Sequence, residues 1–224
     1  MKQYQGEKAI ISLTSWKNRI GTVARTVFSL LKQCPGFHIV LVLSTEEFPN
    51  ESCLPDDLKI LIERNIIEVL WVAKNYRAFK KILFTMHKYK DVPIISADDG
   101  CIYIRNYAQE LYDKWLENKN CIISEYHQVV GGIPWGGGGH GTLFPPNCFE
   151  GALQYLEDPK IIECNHDDAF YGVLAKKRNI PYVFLTRLHA QPRTMKEIDE
   201  RNGLCRNRKF KDSIYKEYWK RVAY

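Results

Sequence analysis

The sequence predicts an α/β fold built on a mostly parallel, doubly wound central sheet flanked by helices. Three observations carry the prediction. Short, nearly continuous apolar runs rich in β-branched residues recur through the first 120 or so residues. Segments with helix-spaced apolar positions separate them. One of the runs, Val92-Pro93-Ile94-Ile95-Ser96-Ala97, ends in two adjacent acids, Asp98 and Asp99. Strands buried on both faces read as continuous apolar runs, and strand–helix–strand alternation places such strands parallel.

In order, Ala9–Leu13, His38–Leu43, Ile66–Val72 and Val92–Ala97 are the expected strands. Val23–Lys32 carries Val23, Val27, Leu30 and Leu31 at helical spacing behind a candidate N-cap, Thr22. Ala78–Tyr89 does the same with Phe79, Ile82, Leu83 and Met86. A helix over Arg105–Glu117 and a short strand at Cys121–Ser124 follow. The segment Gly131–Gly141 holds seven glycines around Trp135 and His140 and reads as a loop, too glycine-rich for regular structure. It is not a phosphate-binding P-loop, because no Gly-Lys-Ser/Thr ends it. Cys148–Leu156 resumes as a helix, and His166-Asp167-Asp168 opens another that runs to about Arg178, with acids in its first turn where the helix dipole favours them. Tyr182–Leu185 is the last expected strand.

Composition narrows the classes. Apolar residues at 45% and charged residues at 26% are those of a globular protein, and no apolar stretch nears the roughly 20 residues that span a bilayer. The N-terminus lacks a signal-peptide pattern, so a cytoplasmic protein is expected. Seven scattered cysteines without a CxxC pair argue against a disulfide framework or a zinc ribbon; they read as reduced thiols, several of them buried. Of the net charge of +6, +5 lies in residues 193–224, where aromatics interleave with the basic side chains. Such a tail is either a solvated helix face or a surface for the inner face of a membrane. Nucleic acid is not an expected partner.

The acidic pair has two readings. Asp99-Gly100 is an ordinary turn signal. Adjacent carboxylates at a strand end are also costly unless a cation shares the site, and ligands of doubly wound sheets sit beyond the strands' carboxyl ends, where Asp98 and Asp99 fall.

Five segments in order make the chain resemble small bacterial family 2-type glycosyltransferases with the GT-A fold, the nucleotide-diphospho-sugar transferase superfamily. They are Ile11-Ser12-Leu13-Thr14-Ser15-Trp16-Lys17-Asn18-Arg19-Ile20, Leu43-Ser44 with Phe48-Pro49, Phe79-Lys80-Lys81-Ile82, Ala97-Asp98-Asp99 with Tyr103, and Asp167-Asp168-Ala169-Phe170. The resemblance spans residues 9 to about 185, so residues 1–190 form the expected GT-A domain and residues 191–224 a basic, aromatic extension packed on it or peripheral to it.

The resemblance implies a hexosyltransferase-type enzyme of polysaccharide biosynthesis. It would move a sugar from a nucleotide-diphosphate donor to a saccharide or lipid-linked saccharide acceptor, with inversion. Thr14, Ser15, Arg19, Arg77, Lys81, Asp98 and Asp99 would bind the donor. Adjacent lysines cannot both face one ligand from a helix, and the pattern favours Lys81 over Lys80. Asp99 and His189 would hold Mn²⁺ or Mg²⁺, although Gly100 stands where the family usually has a third acid. Asp168, or its neighbour Asp167, would be the base that deprotonates the acceptor hydroxyl. Trp135, Gly138 and His140 would bind the acceptor, since aromatic faces pack on sugar rings.

Two other readings compete. Loss of turnover would leave a nucleotide-sugar or glycan-binding protein; Gly100 favours it and the retained Asp167-Asp168 opposes it. A sugar nucleotidyltransferase should carry a glycine-rich basic signature after the first strand, and Ser12–Ile20 has no glycine.

Overall fold

The computed structural model describes residues 5–33, 35–125, 128–130, 132–136, 141–185, 193–195 and 212–222. Within them the chain runs β1 (Ala9–Thr14), α1 (Val23–Leu30), β2 (Phe37–Ser44), α2 (Asp56–Glu63), β3 (Glu68–Val72), α3 (Lys80–Lys88), β4 (Ile94–Ser96), β5 (Cys101–Ile102), α4 (Tyr107–Glu117) and β6 (Ile122–Ser124). It continues with β7 (Gln128–Val130), β8 (Ile133–Trp135), β9 (Thr142–Phe144), α5 (Pro159–Cys164), α6 (Asp167–Lys177), β10 (Tyr182–Phe184), β11 (Arg193–Thr194) and α7 (Asp212–Val222).

Seven strands form the central sheet in the order β10-β6-β9-β4-β1-β2-β3. β1 lies between β2 and β4, parallel to both, with Ile11 opposite Ile39 on one side and Ile95 on the other. β9 runs antiparallel between β4 and β6, so its first residue, Thr142, lies at the same end of the sheet as the carboxyl ends of its neighbours. The mostly parallel α/β sheet expected from the sequence is therefore present, with one reversed strand.

Side chains alternate across the sheet. Ala9, Ile11 and Leu13 enter a core shared with α1, α2 and α4, whereas Ile10 points to the opposite face with Val40, Val42 and Tyr89. A further core gathers Phe79 with Ile82 and Met86 of α3, Phe170 and Leu174 of α6, and Tyr215, Tyr218 and Val222 of α7. Phe170 meets Phe79 and Tyr218 edge-on, with ring centroids 5.4 and 5.5 Å apart. The last helix is thus part of the fold's interior on one side.

Several expectations need correction. The glycine-rich segment is not loop throughout: Ile133-Pro134-Trp135 pairs with Gln128–Val130 in an antiparallel hairpin. Gly136 follows immediately, and a Cβ there would lie 2.1 Å from Ser124 Oγ. Close approach to β6, not ligand binding, accounts for this glycine. The helix expected over Cys148–Leu156 is turns and a 3-10 stretch, Ala152–Glu157, because Asn147 and Gly151 adopt left-handed φ values of 54° and 73° that interrupt an α-helix. α2 was not expected at all. The candidate cap Thr22 makes no capping bond; its hydroxyl donates to the Arg19 carbonyl instead. Of the described cysteines, all free, Cys101 alone is buried. No helix among the described residues is long and apolar enough to cross a membrane.

Candidate active site

Three chain segments meet beyond the carboxyl ends of β1 and β4. The first is the turn after β1. Thr14 Oγ1 donates to the Val42 carbonyl over 2.7 Å and ties this turn to β2. The buried Ser15 donates its hydroxyl to Asp99 Oδ2 at 2.7 Å, and Arg19 Nη1 donates to Asp99 Oδ1 at 2.8 Å. Both carboxylate oxygens of Asp99 are therefore engaged by β1-side donors. Thr26 of α1 adds a hydroxyl shared between the carbonyls of Asp99 and Cys101. Burial pushes the Asp99 carboxyl above its usual range, and the charge of Asp98 adds to this, against the pull of Arg19 and Ser15.

The second segment is the start of α3. Lys80 and Lys81 are both buried, at 1% and 3% exposure, so neither lies on a solvated face. They diverge. Lys80 Nζ donates to Asn75 Oδ1 at 3.2 Å and to the Arg77 carbonyl at 3.1 Å, with Glu47 at 3.9 Å. Burial pushes its ammonium down to about 8, against Glu47 and Asp99. Lys81 Nζ reaches Asp98 Oδ1 at 2.8 Å and Asp167 Oδ2 at 3.3 Å. Burial opposes the charge on Lys81, but Asp98, Asp167 and Asp168 outweigh it and hold the ammonium well above the usual lysine range. Its backbone is anchored too, since Ser12 Oγ donates to the Lys81 carbonyl at 2.5 Å.

Arg77 is exposed and sits at φ 51°. The five other non-glycine residues at positive φ among the described residues are asparagines, which tolerate that region. Arg77 is the exception, held by Asn75, which accepts its N–H at 2.9 Å, and by Lys80. A non-glycine, non-asparagine residue kept in this conformation costs about 1–2 kcal/mol and marks strain stored beside the site.

The third segment is the start of α6. Its cap is His166, whose Nδ1 accepts from the Ala169 N–H at 3.3 Å, so neither acid of the first turn serves as the N-cap. Asp167 is buried against Lys81, and Asp168 is half-buried. The His166 N–H donates to the Tyr218 hydroxyl at 3.2 Å, and that hydroxyl bonds the Ile161 carbonyl. α7 thereby braces the turn that carries both acids. The sequence places His166 at the opening of this helix and Tyr218 among the C-terminal aromatics, but neither the capping role of the first nor the bracing role of the second was expected.

Tyr103 and Tyr107 finish the floor. Their rings lie 4.5 Å apart; the Tyr103 hydroxyl accepts the Asp98 N–H at 2.7 Å, and the Tyr107 hydroxyl donates to the Ser96 carbonyl at 2.8 Å. Seven of the expected residues thus converge: Ser15, Arg19, Lys81, Asp98, Asp99, Asp167 and Asp168. Thr14 flanks them, and Arg77 stands on the turn before α3. Trp135 lies in the hairpin strand β8, which packs beside α6. Gly138, His140 and His189 lie outside the described residues.

Among the described residues, the donor set does not match a divalent ion. Asp99 has both oxygens occupied, Asp98 is paired with Lys81, and Gly100 offers no side chain. Among the described residues no three His, Cys, Asp or Glu side chains form a cluster able to hold a metal.

The architecture is that of a GT-A-like α/β fold. It is similar to the crystal structure of residues 1–349 of S. aureus TarS, at a TM-score of 0.55 and 12% identity, over 96% of this chain and 70% of that one. It is equally similar to the structure of the same TarS fragment in complex with UDP, at a TM-score of 0.55 and 12% identity, over 95% and 69% of the two chains. No family model matches the sequence, and no curated protein matches it.

Proposed function

We propose that the protein is a glycosyltransferase that moves a sugar from a nucleoside-diphosphate donor to a saccharide or lipid-linked saccharide acceptor, with inversion. One observation carries the reading: Lys81 joins the acid at the end of β4 to the acid at the start of α6, bringing a donor-side and an acceptor-side group into one cleft. The fold shared with a TarS fragment crystallised with UDP supports a nucleotide donor.

In this reading Arg19, Ser15, Arg77 and Lys81 position the donor, and Asp98 takes a ribose or sugar hydroxyl. Asp168 accepts the proton of the acceptor hydroxyl as its oxygen attacks the anomeric carbon. The bond from that carbon to the β-phosphate oxygen breaks, and the nucleoside diphosphate leaves with the electron pair. Lys81 and Arg19 offset the charge that develops on the leaving group. Asp168, more exposed than Asp167, is the better placed to meet an acceptor. In the same reading Trp135, Gly138 and His140 bind the acceptor. Lys216, Trp219 and Lys220 stand exposed on α7, a face suited to the membrane that a lipid-linked acceptor would occupy.

A screen of UDP-, GDP-, CMP- and dTDP-sugars for binding and donor hydrolysis tests the proposal. Tight binding of one donor with slow hydrolysis is expected. A well-folded sample that binds none of them overturns it. Binding without turnover on any acceptor favours the alternative of a glycan- or nucleotide-sugar-binding protein.

A further inference from the structure

The charge balance at the acidic pair is set by the protein's own cations. Three carboxylates, Asp98, Asp99 and Asp167, are in contact with two cations, Arg19 and Lys81, which leaves these five groups, beside Asp168, a single net negative charge where the three acids alone would present three. Such a site draws a divalent ion weakly. It also repels an incoming diphosphate far less than bare acids would.

We infer that Lys81 is the resident cation of the donor site, filling the place between donor-side and acceptor-side acids that a divalent ion would otherwise take, so that nucleotide binding requires no added metal. The inference rests on the donor reading proposed above.

Three features favour the ammonium. The Lys81 side chain is 4% exposed, while its partner Asp98 is 42% exposed, so Nζ lies just beneath the mouth of the cleft, where a diphosphate oxygen can share it with Asp98. Its stem is fixed on both sides, by the anchored backbone carbonyl and by α3 packing against β1 and β4. Asp167, 5% exposed, has Lys81 as its counter-ion at 3.3 Å. An ion that displaced Lys81 would have to bury the ammonium elsewhere or strand it, and uncompensated buried charge costs several kcal/mol. Arg19 guards the other acid in the same way, since both Asp99 oxygens are already taken.

The test measures binding of UDP, GDP, CDP and dTDP by calorimetry, in EDTA and then in Mn²⁺, together with electron paramagnetic resonance of Mn²⁺ mixed with the nucleotide-free protein. For the nucleotide that binds, affinity in the two buffers should agree within about threefold, and the Mn²⁺ signal should remain that of the free ion. The Lys81→Met variant should bind at least about tenfold more weakly in EDTA and should recover part of that loss in Mn²⁺, its acids now being open to a metal. Binding by the native protein that tightens tenfold or more with Mn²⁺, or uptake of Mn²⁺ without nucleotide, overturns the inference while leaving the donor reading intact. Failure of every nucleotide in both buffers overturns the donor reading and this inference with it. Should Lys81→Met not fold, the two measurements on the native protein decide the matter.

Discussion

Arg19 Nη1 stands 2.8 Å from Asp99 Oδ1, a contact across 80 residues of sequence that joins the turn after β1 to the turn after β4. Both partners are largely buried, with side chains 14% and 7% exposed. Removing one member of such a pair strands the other. Arg19→Ala should therefore destabilise the fold by about 3–5 kcal/mol at neutral pH. The loss should shrink as pH falls, because burial already pushes the Asp99 carboxyl upward and proton uptake relieves the unpaired charge. Urea denaturation at several pH values measures this. A loss independent of pH would mean that Arg19 acts by packing.

The two acids of α6 should separate on substitution. Asp168→Asn is expected to abolish transfer, a loss of about 10²-fold or more, while donor affinity stays within a few-fold. Asp167→Asn removes the buried counter-ion of Lys81 and should cost stability, by about 2–4 kcal/mol. Kinetics and denaturation on both variants distinguish them, and unchanged turnover in Asp168→Asn would move the base to Asp167.

Arg77 holds a backbone conformation that suits glycine. Arg77→Gly should leave stability level or raise it by up to about 1 kcal/mol, the relief of strain being offset by the freer unfolded chain. Donor affinity should fall. The opposite pattern, lost stability with unchanged affinity, would assign Arg77 a packing role.

Away from the site, Glu68 is buried and accepts from His38, Lys88 and Tyr89 at 2.8, 2.6 and 2.5 Å. Burial raises its carboxyl, but these three donors outweigh it and hold it down to about 2. A carboxyl lower in the folded chain than in the unfolded one contributes stability above its unfolded value, and this is lost as pH falls toward 2. The contribution is about 3 kcal/mol. Acid denaturation should show that loss between about pH 5 and pH 2, and Glu68→Gln should flatten it while lowering stability at neutral pH.

The strands around β1 were legible because a strand covered on both faces must be apolar throughout, as Ala9–Leu13 and His38–Leu43 are. β9 was not, because three residues carry no readable period and its reversed pairing depends on β4 and β6, far away in sequence. α2 is a short helix behind Pro55 whose apolar residues, Leu58, Ile60, Leu61 and Ile62, run together and blur the helical spacing. In the site, the acids and basic residues could be read one by one. Which cation meets which acid could not. Lys81 lies close in sequence to Asp98 and far from Asp167, and the sheet alone brings the three together. The role of Tyr218 was hidden for the same reason, since its hydroxyl acts on a residue 52 positions earlier.

That last contact bears on how the protein comes into being. α7 follows α6 in the chain, so during synthesis the turn carrying Asp167 and Asp168 leaves the ribosome before the helix that braces it. Until residues 212–222 dock, Phe170 lacks its cover and the His166 N–H its acceptor. Chemistry at these acids thus waits on the synthesis of residues 212–222, and a chain cut between Asp168 and Tyr218 owns the acids and bases of the cleft but lacks the helix that braces the α6 turn.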